Sequence, residues 1–347
     1  MSDKSYLDWP FLEDHHRELA GLLDAWTENE IKPFEDDEED VNALSKKFVR
    51  MLGEAGFLQY SVPAEYGGAH KSLDVRSLCI CRETLARTTG LADFAFAMQG
   101  LGSGAISLFG TSELKAEYLP KVLTGEAIPA FALTEPDAGS DAGNLSSTAV
   151  EDGDDYILNG TKTFISNAGI ADFYCMFVRT SDEGARGLTC FVLDADTPGF
   201  ELVESLNVIA PHPLGTIRMT NCRVPKSKML GKVGEGFKVA MSNLDIFRST
   251  VGAASLGFAR RALDEAIART KERHVFGQPL SGFQFTQGKL ADMATEIDAS
   301  ALLIYRAAWT RDCVADRVTR EAAMAKMYAT EAAQVVIDHA VQLFGGM

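Results

Sequence analysis

The sequence predicts an α+β protein that is mostly helical, with a small β domain between two helical domains. Apolar residues recur at helical spacing in the first third of the 347 residues, short β-rich runs fill the middle, and long amphipathic patterns return at the end. These changes of period place an N-terminal helical domain at residues 1–128, a middle β domain at 129–235 and a C-terminal helical bundle at 236–347.

The N-terminal domain has a helical pattern from about Phe11 to Leu123, interrupted by VPAEYGGAH, where a proline and paired glycines predict a loop. Within it, GLGSGA at 100–105 formally fits a G-x-G-x-x-A dinucleotide fingerprint. We reject that interpretation because the preceding LADFAFAMQ is typical of a helix and the fingerprint requires a strand. Two alternatives remain: the glycines let two helices approach closely, which we favour, or they leave room for a bulky ligand.

The middle domain contains β runs such as DDYILNGTKTFIS, DFYCMFVR and GLTCFVLD. Asn159-Gly160, flanked by YIL and TKTFI, predicts the type I′ turn of a β-hairpin. The stretch ALTEPDAGSDAGNL, residues 132–145, predicts the end of a buried strand followed by a stiff turn with free backbone N–H groups. Such a turn suits a flat polar ring or a phosphate, but an ordinary solvent loop explains it equally well.

Two further stretches combine groups that suit a nucleotide. FISNAG, residues 164–169, puts an aromatic ring and a hydroxyl at the far end of the predicted hairpin. Arg273 and Gln284 stand at the end of one predicted helix and the start of the next, where they suit a pyrophosphate and its ribose. The alternative for this second stretch is a helix C-cap terminated by Gly277.

The C-terminal bundle is predicted to contain three helices, at about 237–273, 284–311 and 318–344. Apolar residues cover much of the circumference of the last one. We therefore expect a fourth helix to cover it, supplied by a missing end of the chain or by a partner.

Composition excludes several function classes. The formal charge of −16 argues against nucleic-acid binding, but it does not exclude a phosphorylated small molecule. No apolar run reaches the length of a membrane span, and the N-terminus lacks a signal or transit pattern, so we expect a cytoplasmic protein.

The cysteines and histidines do not indicate a reactive or metal-binding cluster. The six cysteines are expected to be reduced and buried, and His15, His16 and His212 are expected to lie at the surface. Motifs for zinc hydrolases, serine esterases and P-loop NTPases are missing, and we predict no metal site.

Five collinear stretches make the sequence resemble the acyl-CoA dehydrogenase family over nearly its whole length. The resemblance implies a helix–β–helix subunit, FAD bound between the β domain and the C-terminal bundle, and a homotetramer. The stretches are YLPKVLTGEAIPAFALTEPDAGSD, LNGTKTFISNAGIAD, VPKSKMLGKVGEGFKVAM, RHVFGQPLSGFQFTQGKLADM and AVQLFGG.

The resemblance also implies roles for individual residues. The flavin ring and the adjoining part of the CoA thioester would be bound by Phe131, Leu133, Thr134, Gly139 and Ser140. Phe164 would lie against the isoalloxazine, and Ser166 would direct its hydroxyl towards N5. The ADP half of an FAD in a neighbouring subunit would contact Arg273, Phe276, Gln284, Gln342, Gly345 and Gly346. The CoA substrate would contact Ser140, Asp245 and Arg248.

The implied activity is the FAD-dependent α,β-dehydrogenation of an acyl-CoA to the 2-enoyl-CoA. A carboxylate removes the α-proton while the β-hydrogen leaves as hydride to flavin N5. The electrons then pass to an electron-transferring flavoprotein.

Two departures from the family pattern limit these expectations. The first concerns the catalytic base: the family's usual glutamate would follow Met347, and the alternate position of the base holds Phe247. The catalytic residue is therefore unknown, and we expect the sequence to be a fragment. Glu135 is expected to be structural. The alternatives are a base-less partner subunit of a hetero-oligomer and a same-fold flavoenzyme that uses oxygen. The run from Ala210 to Met219 replaces the family's Met-Gly-x-Arg pattern and leaves the acyl group unspecified.

Overall fold

The computed structural model describes residues 3–35 and 40–346. The helices of these residues are α1 (Asp14–Trp26), α2 (Val41–Glu54), α3 (Val75–Thr88), α4 (Gly90–Phe109), α5 (Ser112–Thr124), α6 (Gly236–Glu272), α7 (Gln284–Cys313) and α8 (Thr319–Phe344). Within the same residues, no helix is both long and apolar enough to cross a membrane.

The strands are concentrated in the middle of the chain, which confirms the predicted helix–β–helix order. They are β1 (Pro129–Ala132), β2 (Thr148–Asp152), β3 (Asp155–Ser166), β4 (Phe173–Arg179), β5 (Leu188–Asp194), β6 (Phe200–Ser205), β7 (Leu214–Pro225), β8 (Met229–Leu230), β9 (His274–Val275) and β10 (Gln278–Pro279). The large sheet has the order β6-β7-β3-β2-β4-β5-β8, with β1 paired in parallel to β4, and β9-β10 form a separate hairpin.

The described parts of the chain form two compact units, each built from separated segments. One unit comprises Met1–Asp36, Asp74–Asp93 and Asp245–Met347. The other comprises Asp37–Leu73 and Phe94–Leu244. The domain bounds that we predicted from the sequence stay a prediction.

The core of the second unit lies between the sheet and α5. Strands β4 and β5 are buried along almost their whole length, as expected for apolar runs covered on both faces. Phe173, Phe177 and Val192 pack with Tyr118 and Leu119 in one cluster. This packing fixes the end of β1, because β1 pairs with β4 from Pro129 to Ala132.

The glycine run of α4 lets this helix approach strand β1 closely. A Cβ added at Gly102 would lie 2.7 Å from the Cβ of Pro129 in β1, so a side chain there would collide. The thiol of Cys175 donates to the Gly102 carbonyl oxygen (3.1 Å). At Gly102, therefore, the neighbour is β1 and not the second helix that we expected.

The predicted hairpin turn at Asn159-Gly160 is wrong. Strand β3 continues through both residues, and the turn lies at Gly153-Asp154, where Asp152 pairs with Asp155. Glycine is required at position 160 for another reason: its φ is +144°, and an added Cβ would lie 2.2 Å from the Ser147 hydroxyl. A glycine that serves a turn and one that serves a close approach have the same local sequence signal.

The three C-terminal helices are confirmed, each within two residues of its predicted bounds. Helix α8 also exposes apolar side chains, as its sequence indicated: Met327, Val335 and Val341 are 63%, 48% and 62% exposed. Tyr328 of α8 donates to Glu296 of α7 (2.7 Å), and a short connection joins the two helices, which run antiparallel.

A buried polar network lies in the unit that contains α3, α7 and the part of α6 from Asp245 onwards. The Glu83 carboxylate, 2% exposed as a residue, accepts one hydrogen bond from the Arg260 guanidinium (2.6 Å) and one from the Tyr305 hydroxyl (2.5 Å). The Arg260 guanidinium carbon also lies 4.3 Å from the centre of the Tyr6 ring. Burial and the neighbouring Glu83 charge both raise the pKa of Tyr305.

Two surface expectations need correction. His16 is fully buried: its Nδ1 accepts the Glu13 N–H (3.0 Å) and its Nε2 lies 2.9 Å from an Asp74 oxygen. The partner carboxylate is 58 residues away in sequence, so no local pattern predicts this burial. All six cysteines are free and five of them are buried, but Cys313 is exposed.

Candidate functional site

The segment after β1 forms the rigid turn that the sequence predicted. Glu135 and Ala138 exchange two backbone hydrogen bonds, each of 3.1 Å, which close the turn. Phe131 packs against the ring of Phe177 (4.8 Å between centroids). Of the other predicted flavin-binding residues in the segment, Leu133 and Thr134 are half-buried, and Gly139 and Ser140 are exposed.

A buried ion pair lies directly under this turn. The Lys162 ammonium, fully buried, donates to the Glu135 carboxylate (2.8 Å) and to the Leu133 carbonyl oxygen (3.1 Å). Glu135 also accepts the N–H groups of Ser146 (2.6 Å) and Ser147 (3.0 Å). These contacts fit the structural role that we expected for Glu135, but Lys162 was not singled out, because a lysine in an alternating β run normally faces solvent.

Strand β3 carries a bulge where it passes the turn. Lys162 pairs with Ile217 and Ile165 with Gly215, so two residues of β3 oppose one residue of β7. The first of them, Thr163, donates its N–H to the Thr134 carbonyl oxygen (3.1 Å). The second, Phe164, points outwards and is 62% exposed.

The structure thus brings one group of predicted site residues together on the segment after β1 and the end of β3. The group contains Leu133 and Thr134, which are bonded to Lys162 and Thr163, with Phe164 next along the strand. Ser166 ends β3 and is half-buried. Just beyond it, the Asn167 amide donates to the Pro129 carbonyl oxygen (2.9 Å) and so holds the start of β1.

Two features of this group fit a flat ring bound against it. Phe164 has a φ of +52°, a conformation that costs a bulky residue about 1–3 kcal/mol and is retained mainly at functional positions. A Cβ added at Gly139 would meet no atom of this chain, although Gly139 does not have a positive φ. The chain's own packing therefore does not demand a glycine there, and the backbone of the turn is open on that side.

A second group of predicted residues lies at one end of α7 and α8. Arg273 follows the end of α6, and Phe276-Gly277 form the two-residue turn of the β9–β10 hairpin with φ of +50° and +82°. The alternative in which Gly277 terminates a helix is therefore wrong. Gln284 begins α7, and because α7 and α8 are antiparallel, the end of α8 lies near it. The members of this group, all exposed, are Arg273, Phe276, Gln284, Gln342, Gly345 and Gly346.

Of the three residues predicted to contact CoA, Asp245 and Arg248 lie one helical turn apart on α6, and Ser140 lies in the turn after β1. Asp245 accepts a hydrogen bond from Arg248 (2.8 Å) and another from the Thr319 hydroxyl at the start of α8 (2.8 Å). Phe247, at the alternate position of the catalytic base, is buried and has no proton-accepting group. We assign no catalytic base among the described residues.

Models of all three domains of one family match the chain. The N-terminal domain of acyl-CoA dehydrogenase matches residues 13–126, the middle domain residues 130–222 and the C-terminal domain residues 234–347. The chain belongs to the acyl-CoA dehydrogenase family. Members of this family bind FAD.

Individual proteins also resemble this acyl-CoA dehydrogenase family chain over most of its length. A 3-(aryl)acrylate reductase of Clostridium sporogenes is 38% identical over 97% of this chain and 89% of that protein. The subunit CarC of the caffeyl-CoA reductase–Etf complex of Acetobacterium woodii is 38% identical over 90% of this chain and 82% of that protein. A glutaryl-CoA dehydrogenase structure from Mycobacterium smegmatis in complex with FADH2 is 29% identical, with a TM-score of 0.87 over 97% of this chain and 86% of that one.

The run that departs from the acyl-CoA dehydrogenase pattern forms the β6–β7 loop and the start of β7. Its His212, half-buried where a surface position was expected, packs on the ring of Phe94 (4.7 Å between centroids). His212 also lines a cavity of about 540 Å³ together with Asp40 and Asn42 at the start of α2. The acyl group stays unspecified.

Glu135 makes the stability of this acyl-CoA dehydrogenase chain depend on pH. Burial alone would raise the pKa of Glu135, but the Lys162 ammonium and the bonds from Ser147 and Ser146 lower it from 4.5 to about 2. The folded chain therefore binds this proton more weakly than the unfolded chain. We expect about 3 kcal/mol of stability that is present above pH ~5 and is lost as the pH falls through 4.5 towards 2.

Urea unfolding of the unmodified chain and of Glu135→Gln between those pH values measures this contribution as the difference between the two curves. The glutamine variant is expected to show the flatter dependence, because it has no proton to bind. If the free energies of unfolding of the two proteins depend on pH in the same way, Glu135 is not the source of the effect.

Proposed function

We propose that the chain binds FAD and catalyses the α,β-dehydrogenation of an acyl-CoA thioester to the 2-enoyl-CoA. The observation that carries the proposal is the hydrogen bond that joins the bulge of β3 to the segment after β1, from the Thr163 N–H to the Thr134 carbonyl oxygen. Phe164, the next residue of the bulge, is exposed and has a positive φ. Family membership supplies the nature of the ligand.

In this proposal the chain's residues bind and orient the two ligands. The backbone N–H groups of Thr134 and of Gly139-Ser140 donate hydrogen bonds to the ligands. These donors are held in place because the turn is closed by its own backbone bonds and rests on the buried Lys162–Glu135 pair. Phe164 excludes water from one face of the flavin. Asp245 and Arg248, held together as an ion pair, contact the CoA part of the substrate. When bound, the flavin supplies hydride acceptance, chemistry that no side chain of the protein can provide.

The second group of residues supports binding of the ADP half of FAD. Arg273 and Gln284 offer guanidinium and amide donors, and Gly345-Gly346 leave the backbone open, since a Cβ at either glycine would meet nothing. We propose that this surface binds the FAD of a neighbouring subunit in a homotetramer. The similarity to a subunit named as part of an Etf complex supports an electron-transferring flavoprotein as the electron partner.

A second candidate is the reverse reaction, the reduction of a 2-enoyl thioester. The similarity to a 3-(aryl)acrylate reductase and to a caffeyl-CoA reductase subunit favours it. The same flavin and CoA positions would serve both directions. The direction then depends on the redox partner and on the substrate.

The decisive experiment is an anaerobic titration of the FAD-loaded protein. We expect the visible flavin absorbance to bleach on addition of an acyl-CoA from a panel of straight, branched, cyclic and aryl-substituted thioesters. The matched arm starts from dithionite-reduced protein and adds the corresponding 2-enoyl-CoA, which would restore the colour for the reductase direction. Protein that takes up no FAD, or whose flavin responds to no thioester in either arm, would contradict the proposal. Stoichiometric peroxide in air would point instead to an oxidase.

A further inference from the structure

Lys162 is a fully buried charge, and the cost of burying it opposes the gain from its ion pair with Glu135. Burial lowers the pKa of Lys162 to about 8 in spite of the Glu135 carboxylate beside it. The desolvation of the ammonium therefore offsets much of what the pair contributes through Glu135. Apolar residues of similar volume commonly replace such a pair without loss of stability. Stability alone does not explain a fully buried lysine here.

The contacts of Lys162 are directed at one short segment. Its ammonium donates to the Leu133 carbonyl and to the Glu135 side chain, which are the residues on either side of Thr134. The next residue of β3, Thr163, bonds the Thr134 carbonyl itself. Three consecutive residues after β1 are thus each bonded to Lys162 or Thr163.

The β-bulge explains why Lys162 can reach inwards while Phe164 faces outwards. Two residues of β3 oppose Thr216 alone, and the Thr163 and Thr216 hydroxyls lie 3.0 Å apart. The bulge breaks the simple alternation of sides, so Lys162 and Thr163 are both buried and Phe164 is the residue that emerges. The buried pair and the exposed ring are therefore parts of one local conformation.

We infer that Lys162 is a positioning residue for the bound flavin, acting through Leu133 and Glu135 to fix the backbone of the turn and the outward direction of Phe164. The inference rests on the proposed binding of FAD to these segments. In this role the buried Lys162 ammonium holds the backbone after β1 in one conformation. A rigid, flat ligand such as the flavin then meets all of its binding groups already in place.

The test compares Lys162→Met with the double variant Lys162→Met/Glu135→Gln. The single variant leaves the Glu135 carboxylate without its buried partner, so it is expected to lose both stability and flavin affinity. The double variant removes both charges and is expected to recover most of the stability, because no unpaired ion remains. It still lacks the donor to the Leu133 carbonyl. We expect its FAD dissociation constant to rise about ten-fold or more and the visible circular dichroism of the bound flavin to change.

The matched control is the Arg260→Met/Glu83→Gln variant, which neutralises an equally buried pair in the other compact unit. FAD affinity is followed by quenching of flavin fluorescence on titration of the apoprotein, and folding by urea unfolding without FAD. A stable Lys162→Met/Glu135→Gln protein with unmodified FAD affinity and flavin dichroism would overturn the inference while leaving the proposed function intact. Unmodified protein that binds no FAD would overturn both.

Discussion

Replacing Glu83 by alanine is expected to lower the free energy of unfolding by about 3–5 kcal/mol, because it leaves the buried Arg260 guanidinium without its carboxylate. Both side chains of this pair are almost fully buried, at 3% and 4% exposure. The Tyr305 hydroxyl loses its acceptor at the same time. Urea unfolding of the variant and of the unmodified chain measures the loss.

Two comparisons test the physical reason. Glu265→Ala removes one of the two carboxylate partners of Arg261, the other being Glu35; both side chains of the Arg261–Glu265 pair reach solvent, and the change is expected to cost at most about 1 kcal/mol. The double variant Glu83→Leu/Arg260→Met removes both buried charges and should recover most of the loss. A Glu83→Ala variant no less stable than Glu265→Ala would show that the network does not depend on charge pairing.

Gly160→Ala is expected to destabilise the chain by about 4 kcal/mol, from unfavourable backbone conformation and overpacking together. Position 160 has a φ of +144°, and the new Cβ would lie 2.7 Å from the Cα of Ser147, which is backbone and cannot rotate away. Ser147 also donates its N–H to Glu135, so the displacement would reach the turn after β1. Flavin binding should therefore weaken with stability.

Gly153→Ala is the control for this prediction, since Gly153 lies in the turn of the same hairpin. Its φ is +64° and an added Cβ would meet nothing. We expect a cost of about 1 kcal/mol from the left-handed conformation alone. Both variants are measured by urea unfolding. If the two glycines prove equally costly to replace, close approach at Gly160 is not the dominant effect.

Local patterns predicted the elements of this fold better than the contacts between them. The three C-terminal helices follow from apolar spacing, which depends only on neighbours within one helix. The hairpin at Asn159-Gly160 was wrong because the residue that demands a glycine there is Ser147, which lies just before β2 and 13 residues away in sequence. The buried state of His16 depends on Asp74, which no pattern around His16 reveals.

The candidate site followed the same division. The turn after β1 was predicted as rigid from its proline and glycines, and the structure closes it with two backbone bonds. The family resemblance pointed to Phe164, but the bulge that turns its ring outwards depends on pairing between β3 and β7. Lys162 was missed for another reason: it is in phase with the buried Tyr156 and Leu158 of β3, but the burial of a lysine depends on Glu135, which is 27 residues away in sequence.

Phe164 and Phe276 both hold bulky rings in a backbone region that favours glycine or asparagine, and both rings face solvent. Each of these conformations costs about 1–3 kcal/mol, so stability does not account for either ring. Replacing both residues by glycine would relieve backbone strain and is an obvious way to stabilise the chain. The same change would remove two aromatic rings that the proposed binding of FAD requires.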